Sequence, residues 1–251
     1  MAVAVVGALL VATGTSFGHD RIRDFIVAQL ESQLTPGATI TIKAIDGGLR
    51  SAWTLDSLLL TDAQGREVVS VARLSVGLAL PSLLRGDVRL GVVTIDGLHA
   101  RLDQGNDGTW NVTKVFATAN APTASGGPSR RITADSVEIR RSMVELAMPD
   151  TNASLPPVRR VFSGINAALG PTIVRPPDAS GGGTALRALA MTIDNPPVRL
   201  ESAHGTLRWW RDSLLIDIPE LRLPASVAAV RGVVSWNESE STRVALDVRE
   251  Q

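Results

Sequence analysis

The fold is decided by residues 92–115, VVTIDGLHARLDQGNDGTWNVTKV. Apolar and polar residues alternate on both sides of Gly97, with Val93 and Ile95 before it. A period of two is typical of a strand with one buried face, and a glycine between two apolar phases indicates a bend or bulge. The unit therefore predicts a strand that bends at Gly97, an Asn/Asp/Gly turn, and the start of a further element at Trp110.

The same rhythm extends over most of the chain after residue 38. Short amphipathic runs follow one another, joined by Asp, Asn, Gly and Pro, without helices between them. Regular strand spacing of this kind favours a sandwich, a barrel or an elongated β array over a parallel α/β fold. Residues 117–131 and 170–184 are rich in small residues, Pro and Gly, and both are predicted to be loops.

The N-terminal end has a different pattern. Residues 1–18 carry no Asp, Glu, Lys or Arg, and we interpret them as a membrane anchor, a cleaved signal segment or a buried core helix. The anchor reading rests on these apolar residues: Val3, Val5, Val6, Leu9, Leu10 and Val11. Residues 19–36 follow with apolar positions three and four apart, which predicts one amphipathic helix ending at Thr35-Pro36-Gly37.

Composition excludes several classes of function. Lys plus Arg and Asp plus Glu are both 25, so no net charge favours nucleic acid as a partner. The chain has no cysteine, which rules out disulfides, thiolate catalysis and Cys-ligated metals. His19, His99 and His204 are widely separated and have no second ligand at a metal-binding spacing. We predict no metal, no cofactor and no enzymatic activity.

Two acidic arrangements each have a functional and a structural interpretation. Residues 103–108 begin like a calcium loop, but Gly105 stands at its third position and Lys114 where a bidentate Glu is required. The turn interpretation is therefore preferred. Asp217 and Glu220 have polar neighbours on a predicted strand, which indicates a solvated face, although a carboxylate pair that meets in space would escape this reasoning.

The strongest functional signal is the apolar face of the strands. It predicts either the closed core of a β-sandwich or an open, curved sheet whose apolar side holds acyl chains, because both give a period of two. The candidate groove-lining residues are Ile40, Ile42, Trp53, Leu55, Val93, Ile95, Leu98, Leu102, Leu214, Ile216 and Ile218.

The order of motifs in residues 1–115 resembles the N-terminal region of TamB and the wider AsmA-like proteins. An apolar segment and a helix precede Ile45-Asp46-Gly47, and an Asp-x-x-Gly turn follows at 62–65. Leu83-Leu84-Arg85-Gly86 then precedes a strand, and residues 107–112 resemble the Asp-Gly-x-Trp-Asn element of the AsmA branch. After residue 115 only the strand rhythm continues.

The resemblance implies a mainly β protein, an elongated, curved antiparallel β-groove with an N-terminal membrane segment and one amphipathic helix. It implies residence in the Gram-negative inner membrane, with the bulk of the chain in the periplasm. The expected partners are phospholipid acyl chains and an outer-membrane barrel protein bound through regions absent from this stretch, which we expect to be a piece of a longer chain. The predicted divisions are 1–18, 19–36, 37–116, 117–131 and 132–251. The competing interpretation is a secreted β-sandwich binding or adhesin module with a closed core.

Overall fold

A computed structural model describes residues 27, 28, 30, 31, 34–48, 51–78, 88–116, 132–150, 156–175, 181–210, 213–237 and 240–250. The predicted anchor at 1–18 and the first part of the predicted helix lie outside these residues. Residues 27, 28, 30 and 31 are helical, in agreement with the predicted helix where it is described. Among the described residues, no helix is both long and apolar enough to cross a membrane.

The described chain is mainly β and forms one open, curved sheet. The strands are β1 Thr39–Gly48, β2 Ser51–Thr61, β3 Glu67–Leu78, β4 Val88–Asp103, β5 Ile132–Met148, β6 Val158–Leu169, β7 Thr172–Arg175, β8 Gly182–Ile193, β9 Val198–Leu200, β10 Ser202–Trp209, β11 Ser213–Arg222, β12 Val227–Asn237 and β13 Glu240–Glu250. A five-residue helix, α1 Asn111–Val115, lies between β4 and β5.

The strand order nearly follows the sequence. It runs β1-β2-β3-β4-β5-β6-β8-β10-β11-β12-β13, while β7 pairs with β5 and β9 pairs with β8. The prediction of antiparallel pairing is correct for neighbouring strands with one exception, since β4 and β5 are parallel. The start of β5, Ile132, pairs with the start of β4, Val88. Residues on the two sides of the predicted loop at 117–131 therefore belong to one sheet.

A line of positive φ values crosses the middle of the sheet. Ser57, Gly97, Arg141 and Gly164 have φ values of 55°, 64°, 50° and 60°, and the registers place them on β2, β4, β5 and β6 at the same level. The pairing of β2, β3 and β4 passes this level without a register shift, whereas β5 and β6 shift register there. At this level the spacing of apolar residues in β2 and β4 changes from two to three and then returns to two.

The structure also corrects the predicted face of Ala72. The alternation of β3 predicts Ala72 on the same face as Leu74 and Val76. In the structure Ala72 is exposed and lies against Gly97 of β4, where a Cβ on Gly97 would stand 2.9 Å from the Ala72 Cβ. The predicted loop at 170–184 is also too long, because β7 occupies Thr172–Arg175 and β8 begins at Gly182.

Candidate functional site

Apolar residues form continuous rows across the strands. In one row Leu55 pairs with Leu74, then Ile95, Ile139, Ala167 and Leu189 follow on successive strands from β4 to β8. In a second row, Val69 is followed by Ala100, Val144, Phe162, Ile193 and Val198. Directly paired residues of neighbouring strands share one face of a sheet. With strands about 4.8 Å apart, each row gives one face an apolar track of roughly 25 Å.

The first part of this face is covered. Leu30 from the helical segment, Leu34 from the bridge to Phe116, and Val115 from α1 are buried in one cluster with the apolar residues of β1–β4. Two hydrogen bonds join the two covering segments. The Thr35 N–H donates to the Val115 carbonyl at 2.9 Å, and the Thr35 hydroxyl donates to the Lys114 carbonyl at 2.9 Å. This end of the sheet is therefore a packed core.

Asn111 holds α1 in that position. Its Oδ1 accepts from the Asp103 N–H at 3.0 Å and from the Val112 N–H at 2.8 Å, and its Nδ2 donates to the Arg101 carbonyl at 2.8 Å. One amide side chain thus links the end of β4 to the first turn of the helix. The Trp-Asn element of the sequence therefore has a structural role: Asn111 holds α1 in the segment that covers the apolar face.

Beyond β5 the face is open. Two clusters of buried apolar residues occur in the described chain, and neither includes a residue of β6–β13. Many apolar side chains here are half-buried, including Phe162, Leu207 and Ile216, whereas four others are buried: Leu186, Leu200, Ala203 and Ala228. Leu207 pairs with Ile216, and Trp209 pairs with Leu214 and through it Val234, which gives β10–β12 an apolar patch of their own on this face. The β8 partners of Leu207 and Trp209 are Thr184 and Gly182, so the two rows described above end before β10.

The predicted lining residues divide between these two regions. Ile40, Ile42, Trp53 and Leu55 are between 0% and 6% exposed and belong to the packed core, so they present no accessible surface to a ligand. The sequence predicts that these four side chains line an accessible groove, whereas in the structure they are buried in the covered core. The Trp53 indole N–H has no hydrogen-bond acceptor among the described residues.

The remaining predicted residues are accessible to differing degrees. Ile95, Leu98 and Leu102 are half-buried and pack against the covered core, and Val93 packs against the smaller cluster around Val76 and Leu90. The three residues of β11 are half-buried on the open part of the face: Leu214, Ile216 and Ile218. The anchor residues lie outside the described chain: Val3, Val5, Val6, Leu9, Leu10 and Val11.

The opposite face carries charge pairs. Asp56 accepts from Arg73 at 2.8 Å, and Asp96 on the next strand accepts from the Arg141 Nε at 2.9 Å. The hydrogen bond from Arg141 is the main cause that holds the pKa of Asp96 below its ordinary value. Asp217 and Arg231 form a similar pair at 2.9 Å between β11 and β12. The sheet is therefore apolar on one side and largely polar on the other.

Candidate chemical centres on the polar side are structural. His99 lies between the carboxylates of Glu67 and Glu145, at 3.3 and 2.9 Å, and so links β3, β4 and β5. The described residues contain no group of three or more His, Asp or Glu placed to hold a metal ion. A depression of about 380 Å³ near Asn166 is floored by the alanines of β6 and β8.

The calcium-like loop at 103–108 is a hydrogen-bonded turn. Asp107 accepts from the Thr109 hydroxyl at 2.6 Å and from the Thr109 N–H at 3.0 Å, and Lys114 lies 3.3 Å away. These contacts, the hydroxyl bond first, lower the pKa of Asp107 to about 2. The carboxylate is thus engaged by its own turn, as the sequence interpretation expects.

Several residues of the open face were missing from the predicted set. Leu189 and Ile193 on β8, with Phe162 on β6, extend the apolar rows past the predicted members. The sequence has apolar residues at 186, 189, 191 and 193, but their spacing of three and then two obscures a simple period of two. Asn111 was noted only as part of a motif, since nothing in a single sequence indicates three hydrogen bonds from one side chain.

The chain was compared with known protein families and with curated proteins. No family model matches it, and no curated protein matches it. Function is therefore argued from the geometry of the sheet.

Proposed function

We propose that this chain is an inner-membrane-anchored protein of the Gram-negative envelope. It offers phospholipid acyl chains an apolar β-groove toward the outer membrane, with a role in outer-membrane protein assembly. The observation that supports the proposal is the uncovered apolar face of β6–β12, whose rows on β6 and β8 continue those of the covered core. No catalytic step is required.

The physical basis is the avoidance of water by the lipid tails. Each CH₂ removed from water gains about 0.8 kcal/mol, so an acyl chain gains free energy over its whole length when it lies on a continuous apolar track. Phe162, Ile193 and Ile216 offer half-exposed surface along this track. The polar face, with pairs such as Asp217 and Arg231, keeps the other side of the sheet in water.

The competing function is a binding or adhesin module with a closed core. Such a module needs a second layer over the apolar face of β6–β12. Among the described residues, all strands belong to one sheet and the covering residues lie over β1–β4. This arrangement favours the groove.

The test is site-specific photo-crosslinking in cells of the full chain. Leu207 and Thr206 are adjacent on β10, with Leu207 half-buried on the apolar face and Thr206 exposed on the other. A photo-reactive residue at 207 or 216 should form phospholipid adducts, and the same group at 206 should form at least several-fold fewer. Equal yields at 206 and 207, or protein adducts alone at 207, would reject the groove.

A further inference from the structure

The corner between β10 and β11 carries two adjacent tryptophans. β10 ends at Trp209, and the Trp210 N–H donates to the Ser213 carbonyl at 2.8 Å as the chain turns into β11. Trp209 is half-buried and pairs with Leu214 on the apolar face, while Trp210 is 41% exposed. Because successive side chains of an extended chain point to opposite faces, the sheet presents one indole on each side at this corner.

Glycines on the neighbouring strand provide space for both rings. A Cβ at Gly182 would lie 2.4 Å from the Trp209 Nε1, and a Cβ at Gly181 would lie 2.8 Å from the Trp210 Cδ1. Real Cβ atoms do not approach this closely, so only glycine permits the two indoles to rest on this backbone. The exposed ring of Trp210 is therefore held in place against the sheet.

The polar face becomes apolar near this corner. Leu215 pairs with Val233, which is 41% exposed, where the same face elsewhere carries Asp–Arg pairs. Arg208 pairs with Leu215, is exposed and has no acidic partner among the described residues. We call the set Trp209, Trp210, Leu215, Val233 and Arg208 the tryptophan corner.

We infer that the tryptophan corner inserts into the headgroup region of an anionic phospholipid bilayer. Tryptophan combines a large apolar ring with one N–H donor and is enriched at membrane–water interfaces. Apolar side chains lie on both faces of the sheet at this corner. A bilayer into which the corner inserts covers both faces at once, whereas a partner docked on one face covers only that face. Arg208, which has no acidic partner among the described residues, complements the negative charge of the lipid, at roughly 1 kcal/mol near the surface.

This bilayer contact is separate from the proposed lipid track. The track places single acyl chains along the apolar face of the sheet, whereas the corner places one end of β10 and β11 at the membrane surface. Its experiment reads out depth in the bilayer at one residue. Failure here therefore leaves the crosslinking result at Leu207 unaffected.

The experiment uses the full chain in liposomes with a single probe. Since the chain has no cysteine, Ser213→Cys provides a unique attachment point for an environment-sensitive dye. Ala225→Cys, exposed in the turn at the other end of β11, is the matched control. With nitroxide-labelled lipid in phosphatidylglycerol-containing liposomes, quenching at 213 should exceed quenching at 225 at least threefold.

Two further variants connect the signal to the corner. Trp210→Ser should reduce the quenching at 213 by at least half, and Arg208→Gln should reduce it less; both residues are exposed, so an unchanged circular dichroism spectrum is expected. Equal quenching at 213 and 225 would overturn the inference. So would quenching at 213 that Trp210→Ser leaves unchanged, or that is the same in phosphatidylcholine liposomes without anionic lipid.

Discussion

The sheet has two regions built from the same strand pattern but with different surroundings. In β1–β4 the apolar face is covered by the helical residues around Leu30 and by α1, and Leu55 and Leu60 are 0% exposed. In β6–β12 apolar residues of the same face, such as Ile193 and Ile216, stay half-exposed. The difference lies in segments outside the strands. An amphipathic strand therefore specifies a face, and the connecting segments decide whether that face becomes core or accessible surface.

The largest expected effect is on the free energy of unfolding when one apolar side chain is truncated in each region. Leu55→Ala should lower the free energy of unfolding by about 2–5 kcal/mol, because it leaves a cavity in a filled core. Ile216→Ala should cost about 1 kcal/mol, since its half-exposed side chain loses less buried surface. Urea unfolding of both variants measures the difference. Equal losses would mean that β6–β12 is also a packed core.

The next effect concerns the positive-φ glycines that occur in both regions, Gly97 and Gly164. Gly97→Ala should destabilise the chain by about 3 kcal/mol, from positive φ plus a contact of 2.9 Å with the Ala72 Cβ. Gly164→Ala, at φ 60° with nothing within 4 Å of the new Cβ, should cost only the conformational part, about 1–2 kcal/mol. Thermal unfolding of the pair gives the comparison. A cost for Gly164→Ala as large as that for Gly97→Ala would show that the space around Gly97 adjusts freely.

The cover can be loosened without touching the apolar face. Asn111→Ala removes two hydrogen bonds that link β4 to α1 and one within the first turn of α1, and should destabilise the chain by about 1–2 kcal/mol. Asn106→Ala, in the exposed part of the same turn, is the control.

If α1 keeps the front of the apolar face closed, the Asn111 variant should also bind more of an apolar fluorescent dye than the control. Unchanged dye binding together with reduced stability would assign Asn111 a role in the turn alone.

Sequence reasoning succeeded where alternation is local and failed where distant segments meet. The mainly β class and the bend at Gly97 follow from the pattern around Val93 and Leu98. The parallel pairing of β4 with β5 does not, because it joins residues far apart in the sequence, such as Val88 with Ile132. The burial of Trp53 and Leu55 in the covered core likewise depends on distant contacts such as Thr35 with Val115, which are 80 residues apart.

The same limit explains the unpredicted positive φ of two residues. A glycine indicates such a position at 97, but Ser57 and Arg141 adopt positive φ at the same level of their own strands. The sequence signal was a change of spacing, from Leu55 to Leu58 and from Ile95 to Leu98. Comparing that change between neighbouring strands identifies the level at which a sheet bends.

The smallest expected effect is a difference in acid sensitivity between the two regions. Burial raises the pKa of Asp62, but bonds from the Arg66 N–H and guanidinium and from the Gln64 N–H outweigh it, and the pKa lies below its ordinary 3.8. A carboxyl whose folded-state pKa is lowered stabilises the fold above its unfolded pKa. That contribution is lost as the pH falls through the lower folded value.

Asp62→Asn should therefore flatten the loss of stability below about pH 4, with a cost near neutral pH of about 1 kcal/mol or less. Glu220→Gln in the open region is the control, because the pKa of Glu220 is lowered mainly by a hydrogen bond from Arg222, and this pair is solvent-exposed. We expect the control to change the pH profile less, since water screens an exposed pair. Unfolding midpoints between pH 2.5 and 6 measure both profiles. A larger change for Glu220→Gln would mean that surface pairs, rather than the turn at Asp62, set the acid limit of the sheet.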